Sequence, residues 1–333
     1  MKRIIRVIII LIIFIVIFIL LNMLLKPKYA TDLVEGSMLS QYYDEPKDHE
    51  VIFIGDCEVY ANFSPMIMYE EAGIKAYVRG SSQQMIWQSY YVLKETLKYE
   101  TPKVVVFNVN SIRYDKNSEK RSEAYNRLTI DEMKWSKEKI EIIKESMVEG
   151  EVFMSYVIPI LRYHSRYDKL SSEDIEYLFK DKTNTYNGFL VNKEIKGVES
   201  IPTAKRLATY EFSEECYNYL DMMASICKEN GIELILIKAP SLYPTWYTEY
   251  DEQVKEYANK NDIAYYNLKD VAEEIGIDYS VDTFDAGLHL NLTGAEKLSK
   301  YFAYVLAENY DLTDYRGDAV YDEKLEVYKK DTK

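Results

Sequence analysis

The chain has 333 residues, enough for one large domain or two ordinary ones with a sizeable core. Lys and Arg number 41 against 55 Asp and Glu, a formal net charge of -14, which argues against nucleic acid as a partner because phosphate binding needs a basic footprint. There are only three cysteines, and nothing in their placement suggests a disulfide framework.

From Val7 to Leu25 the only polar residue is Asn22, and this is about the 20 residues that cross the hydrocarbon of a bilayer. The segment reads as a transmembrane anchor over residues 1–28. A cleaved signal peptide would have a shorter apolar run and small residues at the cut, whereas this run ends in Lys26, Pro27 and Lys28. Lys2, Arg3 and Arg6 precede it and place the N-terminus in the cytoplasm, so the rest of the chain is expected outside a plasma membrane. Beyond the anchor the charge is 36 Lys plus Arg against 55 Asp plus Glu, a net of about -19. An outward-facing domain that does not rely on disulfides suits a Gram-positive surface.

After a polar connector over residues 29–48, "EVIFIG" is a short apolar run ended by Gly, the pattern of a strand buried on both faces. "SPMIMYEEAG" reads as a helix with Ser64 as cap, Pro65 at its first position and Gly73 at its end. "KAYVRG" is a second strand. The helix after it carries Ile86, Tyr90, Leu93 and Leu97 on one face, and "PKVVVFNVNS" is a third strand. This alternation predicts a parallel α/β unit with crossover helices.

Between residues 111 and 211 the alternation lapses. "DEMKWSKEKIEIIKESM", "EVFMSYVIPILRYH" and "SSEDIEYLFK" look helical, and "TYNGFLVNKEIKGVES" looks irregular or hairpin-like, with turn signals at Asn187 and Gly188. We read this stretch as an insertion within one α/β domain spanning 49–310. The pattern resumes with a helix near 213–229, the strand "IELILIKAP", a helix near 247–260 and the strand "IAYYNL". In the first of these helices Cys216, Leu220, Met223 and Cys227 form one apolar stripe. The two cysteines lie about 16 Å apart along the axis, too far to bridge, so they are core thiols. The final helix opens with Thr293 and Glu296 as a capping box and turns Ala295, Leu298, Phe302 and Val305 inward. Residues 311–333 are a charged tail expected to be peripheral.

In open parallel sheets ligands bind beyond the carboxyl ends of the strands. The residues there are Gly55-Asp56-Cys57, Gly80-Ser81-Ser82, Asn108 to Ser111, and Lys238-Ala239-Pro240, with Glu58 and Gln83 close by in sequence. Cys57, in the first of these turns, is a candidate nucleophile. A nucleophile needs a base, and only three histidines are present. His49 precedes the first strand at the wrong end of the sheet, and His164 lies in the insertion. His289 lies in a late loop, four residues after Asp285, a carboxylate able to fix its tautomer. Asp282 stands near enough in sequence to play the same part. Lys238 either lines a pocket or snorkels to water. Arg127, Arg162, His164 and Arg166 could meet an anionic polymer or make ordinary ion pairs. Glycosylation sequons at Asn62 and Asn291 are near chance level. No metal-ligand cluster stands out, and no cofactor is expected.

"IFIGDCEVY" resembles the Gly-Asp-Ser block of the SGNH/GDSL hydrolases, and "FDAGLHLN" resembles their closing Asp-x-x-His block, over roughly residues 50–110 and 212–309. Gly80 matches the glycine whose amide helps form that family's oxyanion hole. Asn110, or Asn108 two residues earlier, falls where the family keeps an asparagine. The sequence departs from the family in carrying Cys57 for serine and in spacing Asp285 and His289 four apart rather than three. The resemblance implies a three-layer α/β/α sandwich with a mostly parallel, flavodoxin-like sheet. It also implies a Cys57–His289–Asp285 constellation, with Asp56, Gly80, Asn110 and Lys238 near the oxyanion or substrate. With the anchor, it is similar to the membrane-tethered branch that includes teichoic-acid D-alanyl transfer and alginate O-acetylation proteins. The implied activity is an acyltransferase or esterase on O-acyl groups of a cell-surface glycopolymer or acylated sugar, beside a membrane-bound O-acyltransferase. The competing expectation is a non-catalytic surface scaffold in which Cys57 marks lost activity.

Overall fold

A computed structural model describes residues 2–27, 38–176, 178–179, 185–201 and 203–333, so both ends of the expected anchor, residues 1 and 28, and residues 29–37 of the expected connector lie outside the described residues. Five short apolar runs pair into one parallel sheet: β1 (Val51–Gly55), β2 (Ala76–Gly80), β3 (Val104–Asn108), β4 (Glu233–Lys238) and β5 (Ala264–Asn267). Their order is β2-β1-β3-β4-β5, the flavodoxin-like arrangement. Every residue of β1, β2 and β3 is buried, which is why β1 and β3 read as near-continuous apolar runs and not as alternating ones, while the buried Arg79 of β2 is paired with Glu95 at 2.8 Å.

Apart from two single-turn helices, Met38–Gln41 and Ala272–Ile275, the helices are α1 (Lys2–Leu25), α2 (Cys57–Asn62), α3 (Pro65–Ala72), α4 (Ile86–Thr96), then α5 (Glu123–Ile130), α6 (Lys137–Ser146), α7 (Phe153–Val157), α8 (Ile160–Tyr163) and α9 (Ser172–Glu176) in the insertion. α10 (Glu214–Glu229), α11 (Thr248–Asn261), α12 (Leu292–Asn309) and α13 (Ala319–Thr332) follow. On one face of the sheet Phe53, Val78, Val106 and Ile237 pack under α2, α3, α12 and α13. On the other, Ile52, Ile54, Phe107 and Leu236 pack under α4, α10 and α11. This is the three-layer α/β/α architecture expected.

Six local expectations need correction. A short helix, α2, begins immediately after β1. In the insertion, α5 forms where no helix was read, and α6 starts only at Lys137, with the Ser136 side chain accepting the Lys139 amide as its cap. "EVFMSYVIPILRYH" is two short helices, because Pro159 drives Ile158 out of the helical region and ends α7. α12 is capped by Asn291, whose side chain accepts the Gly294 amide at 3.2 Å; Glu296 instead accepts a bond from the Tyr328 hydroxyl. The C-terminal tail is not peripheral, since α13 lies on α3 and buries Tyr321 and Tyr328. Its charged residues occupy the outer face and hide a two-residue apolar stripe.

The turn signal at Asn187 and Gly188 is real: both residues have positive φ and link the small antiparallel bridge between Tyr186 and Phe189. The turn docks on the edge strand β2, where the Val78 amide donates to the Asn187 carbonyl at 2.9 Å. A side chain at Gly188 would meet the Val78 carbonyl oxygen at 2.0 Å. The insertion thus returns to the sheet and covers an edge that would otherwise be open.

The buried role of α13 is testable. Tyr321→Ala should lower unfolding stability by about 3–5 kcal/mol, the range for a large aromatic removed from a core. Val327→Ala on the exposed side of the same helix should stay within about 0.5 kcal/mol, both read as denaturant midpoints at constant slope.

Candidate functional site

The parallel register sets Gly55 beside Gly80 and Ile54 beside Phe107, so the chain leaves β2, β1 and β3 at neighbouring points. The strand order reverses between β1 and β3, which makes this the crevice where the fold offers a site. Asp56 caps α2, accepting the Glu58 amide at 3.1 Å, and Cys57 is the first residue of that helix. Gly80 is needed there: a Cβ would lie 2.4 Å from Val59 Cγ2 and 3.0 Å from the Asp56 carbonyl oxygen, so only glycine lets α2 cross the end of β2. Cys57 is half-buried, whereas Cys216 and Cys227 are buried core thiols on α10.

His289 reaches this point from the loop before α12. Asp285 holds it twice, accepting the backbone amide of His289 on Oδ1 at 2.7 Å and meeting the ring Nδ1 with Oδ2 at 2.6 Å. The wider Asp-to-His spacing is accommodated by Ala286 and Gly287, both at positive φ. Phe284 stacks on the imidazole with centroids 5.5 Å apart, and the Tyr243 hydroxyl donates to the Asp285 carbonyl. Asn62, the last residue of α2, accepts the Leu290 amide at 2.8 Å. One six-residue helix therefore carries Cys57 at one end and ties down the histidine loop at the other. Asp282 is occupied elsewhere, accepting the Asp278 amide and the Lys297 ammonium, so the ring is oriented by Asp285.

With Nδ1 engaged by Asp285, Nε2 is buried and without a hydrogen-bond partner among the described residues, and the ring interacts with the Cys57 thiol. Burial pushes the Cys57 thiol up; the His289 imidazolium works against this, while Asp56 and Glu58 add to the rise. Burial disfavours charge on His289, yet Cys57 as thiolate and the Asp285 carboxylate outweigh it and hold the ring well above the ordinary imidazole range. Each of the two groups thus stabilises the other's ion.

Beneath the thiol lies a fully buried polar network. Lys238 sits 3.0 Å from both oxygens of Glu58, and neither side chain is exposed at all. Ser241 donates to Glu58, and Lys238 also donates to the Ala239 carbonyl and to Ser241. Asn108 donates to Glu58 at 2.8 Å and to Asp56 at 3.1 Å, and its own carbonyl accepts the Ala239 amide. Asn110 donates to the other Asp56 oxygen at 2.6 Å. Burial raises Glu58, but Lys238 and the surrounding donors outweigh it and leave the carboxyl below its ordinary range. Asp56 goes the other way, raised by burial and then by the charge of Glu58.

These contacts revise several expected roles. Lys238 neither lines an open pocket nor snorkels to water; it is wholly buried by its ion pair. Asp56 spends its carboxylate on the Glu58 amide and the two asparagines, so it braces the turn from inside. Both Asn108 and Asn110 reach Asp56, and Asn108 is the one locked into the ion pair. Arg127 is buried between Glu123 and Asp131, Arg162 meets Glu123, and Arg166 meets Asp174; His164 is exposed. His49 is buried at the amino end of the sheet against Glu100. Asn62 and Asn291 are both buried and engaged, which rules out their sequons as glycan sites.

Ser241 and Tyr243 carry no signal in the sequence, Asn62 reads there only as a sequon, and Glu58 only as a neighbour of the turn. A usable signal exists for one pair: Glu58 and Lys238 are opposite charges at the carboxyl ends of two strands of the same buried sheet.

No family model matches the chain, and no curated protein matches it. Among solved structures it is similar to the crystal structure of a "putative acylhydrolase" from Bacteroides fragilis NCTC 9343, with 12% sequence identity over 81% of this chain and 94% of that chain and a TM-score of 0.39. A likeness of that size carries no argument about chemistry.

Glu58→Gln or Lys238→Met alone should each cost about 3–5 kcal/mol of unfolding free energy, because each strands the other group in the core. The double variant should recover a substantial part of that loss in the same denaturant titration. Additive losses would mean that the two do not act as a pair.

Proposed function

We propose that the chain is a membrane-anchored, extracytoplasmic acyltransferase or esterase of SGNH type, acting on O-acyl groups of a cell-surface glycopolymer through Cys57, His289 and Asp285. The observation that carries this reading is the imidazole of His289, clamped at Nδ1 by Asp285, with its buried Nε2 left unbonded and its ring interacting with the one half-buried thiol. Such an arrangement is what acyl transfer through a thiol requires.

The chemistry follows from these residues. As the Cys57 sulfur attacks an ester carbonyl, its proton passes to Nε2 of His289. Asp285 compensates the charge that forms on the ring. The tetrahedral intermediate collapses, the alcohol leaves with the proton from His289, and a thioester remains on Cys57. A sugar hydroxyl or water then attacks the thioester, giving its proton to Nε2, and the thiol is restored when that proton returns to sulfur.

The Cys57 amide opens α2 with no acceptor among the described residues, and Gly80 packs against the Asp56 carbonyl just before it. The Cys57 and Gly80 amides, with the second N–H of the Asn110 side chain, are the donors we assign to the oxyanion, worth about 3 kcal/mol each.

Retention of the apolar N-terminal helix is supported by its contacts. Asn22 accepts the Ile160 amide at 2.8 Å, Arg166 donates to the Leu25 carbonyl at 2.7 Å, and Lys26 pairs with Glu132 at 3.1 Å. Cleavage would strip each of these partners from the folded domain. The apolar face itself, Val7 to Leu21, is exposed throughout, as a lipid-facing helix should be.

Incubation with an aryl acetate should give an acetyl adduct on Cys57 in the intact mass, absent from Cys57→Ala. His289→Ala should reduce turnover by about 10²–10⁴-fold. No adduct, together with unchanged polymer acylation in cells carrying Cys57→Ala, would identify a scaffold instead.

Alkylation by iodoacetamide gives a second check. Cys57 should react well before Cys216 and Cys227, which burial pushes up to about 11 and about 12. Its rate should climb with pH beyond the ordinary thiol range, since its thiol is raised. In His289→Ala the reaction at pH 7 should slow further, because the imidazolium that favours the thiolate is gone. An unchanged rate there would sever the link between the two residues.

A further inference from the structure

The insertion carries an apolar surface that the acyl-transfer reading does not use. Val152, Met154, Leu161, Tyr167, Ile175 and Phe179 are each between 46% and 82% exposed, and they cluster in the stretch from α7 to the residues just after α9. Isolated exposed apolar residues are ordinary, but six within 28 consecutive positions are more than a water-facing surface needs.

Its position indicates which one. About 20 residues of helix cross the hydrocarbon of a bilayer, so if α1 enters near Ile4, Asn22 to Leu25 stand at the outer headgroup level. At that level α1 is bonded to this surface. The Asn22 side chain accepts the amide of Ile160, the residue next to Leu161, and Arg166, the residue next to Tyr167, donates to the Leu25 carbonyl. α1 also packs against α8, α9 and the short turn between them. Residues bonded to the end of a spanning helix share its depth.

We infer that the described residues 152–176 and 178–179 form a membrane-seated foot, lying in the outer interfacial layer with Leu161, Tyr167, Ile175 and Phe179 directed into the headgroup and acyl boundary. This rests on α1 being a retained anchor. The charges of the segment do not select anionic lipid, because Arg162 and Arg166 are paired with Glu123 and Asp174 and the remaining Lys169 is outnumbered by Asp168, Glu173 and Glu176; its attachment is through apolar area. The foot also fixes where the site faces. Lys26 holds Glu132 and the Asp131 carbonyl at the end of α5, and Thr129 of α5 meets the Ser81 hydroxyl at 2.6 Å, one residue beyond Gly80. A short chain of contacts therefore runs from the membrane surface to the carboxyl end of the sheet, which would keep Cys57 at a set height above the bilayer and favour a membrane-proximal substrate.

The test is spin-label accessibility on the full chain in phosphatidylcholine–phosphatidylglycerol vesicles containing no other protein. Single cysteines are introduced as Leu161→Cys and Phe179→Cys in a Cys57→Ser background, the remaining two thiols being buried. Tyr304→Cys on the distant α12 serves as the water-exposed reference and Ile12→Cys as the reference within α1. Labels at 161 and 179 should show an oxygen-to-nickel-chelate accessibility ratio several-fold above that at 304. If Ile12 reports lipid while 161 and 179 match 304, the foot is overturned and the anchor stands. If Ile12 itself reports water, the anchor reading has failed and the foot falls with it. Protection of 161 and 179 that appears only when other membrane proteins are added would assign the surface to a protein partner and likewise overturn the lipid assignment.

Discussion

The site depends on a charge pair with no access to water. Placing Glu58 and Lys238 in the core costs several kcal/mol of desolvation per ion, and their attraction offsets this only if the remaining hydrogen-bonding capacity is met. Here Asn108, Ser241 and the Ala239 carbonyl meet it, which leaves a single geometry for the ends of β1, β3 and β4. Because Asn108 also bonds Asp56, the network extends to the cap of α2. The position of Cys57 is therefore inherited from a polar cluster on three strands.

That arrangement also shapes the reactivity of the thiol. The carboxylates that brace the turn lie close enough to disfavour a thiolate, and burial adds to the effect. His289 is the opposing influence, and its own ring is favoured as a cation by Asp285 and by the thiolate it faces. The two groups are coupled, each favouring the charged form of the other. A thiol gives up its proton at far lower cost than a hydroxyl, so this coupling would be weaker with serine at the same position.

Much of this is legible in the order of residues alone. Apolar runs ended by Gly or by a polar turn locate all five strands, and the fully buried pattern of "VIFIG" and "VVVFN" explains why length and not periodicity is the guide. Cys57, His289 and Asp285 stand out as a set because only three histidines exist and one has a carboxylate nearby. Other features are hidden for physical reasons. α13 looks like a charged tail since its two buried tyrosines are seven positions apart among acidic and basic residues. Asn291 takes the cap from Thr293 because its side chain reaches the Gly294 amide directly. Pro159 splits one expected helix into two. The roles of Asn62 and Ser241 depend on contacts across roughly two hundred residues, which local pattern does not encode.

The sequence by itself determined the parallel α/β class, the apolar N-terminal helix, and the thiol and imidazole that could meet, because each depends on local composition or on the scarcity of a residue type. Only the tertiary structure decided that Asp285 and not Asp282 orients the ring, that Lys238 is sealed against Glu58, and that the insertion grips the end of α1. Those outcomes turn on which groups lose water together when the layers close, and a linear order of residues does not specify that.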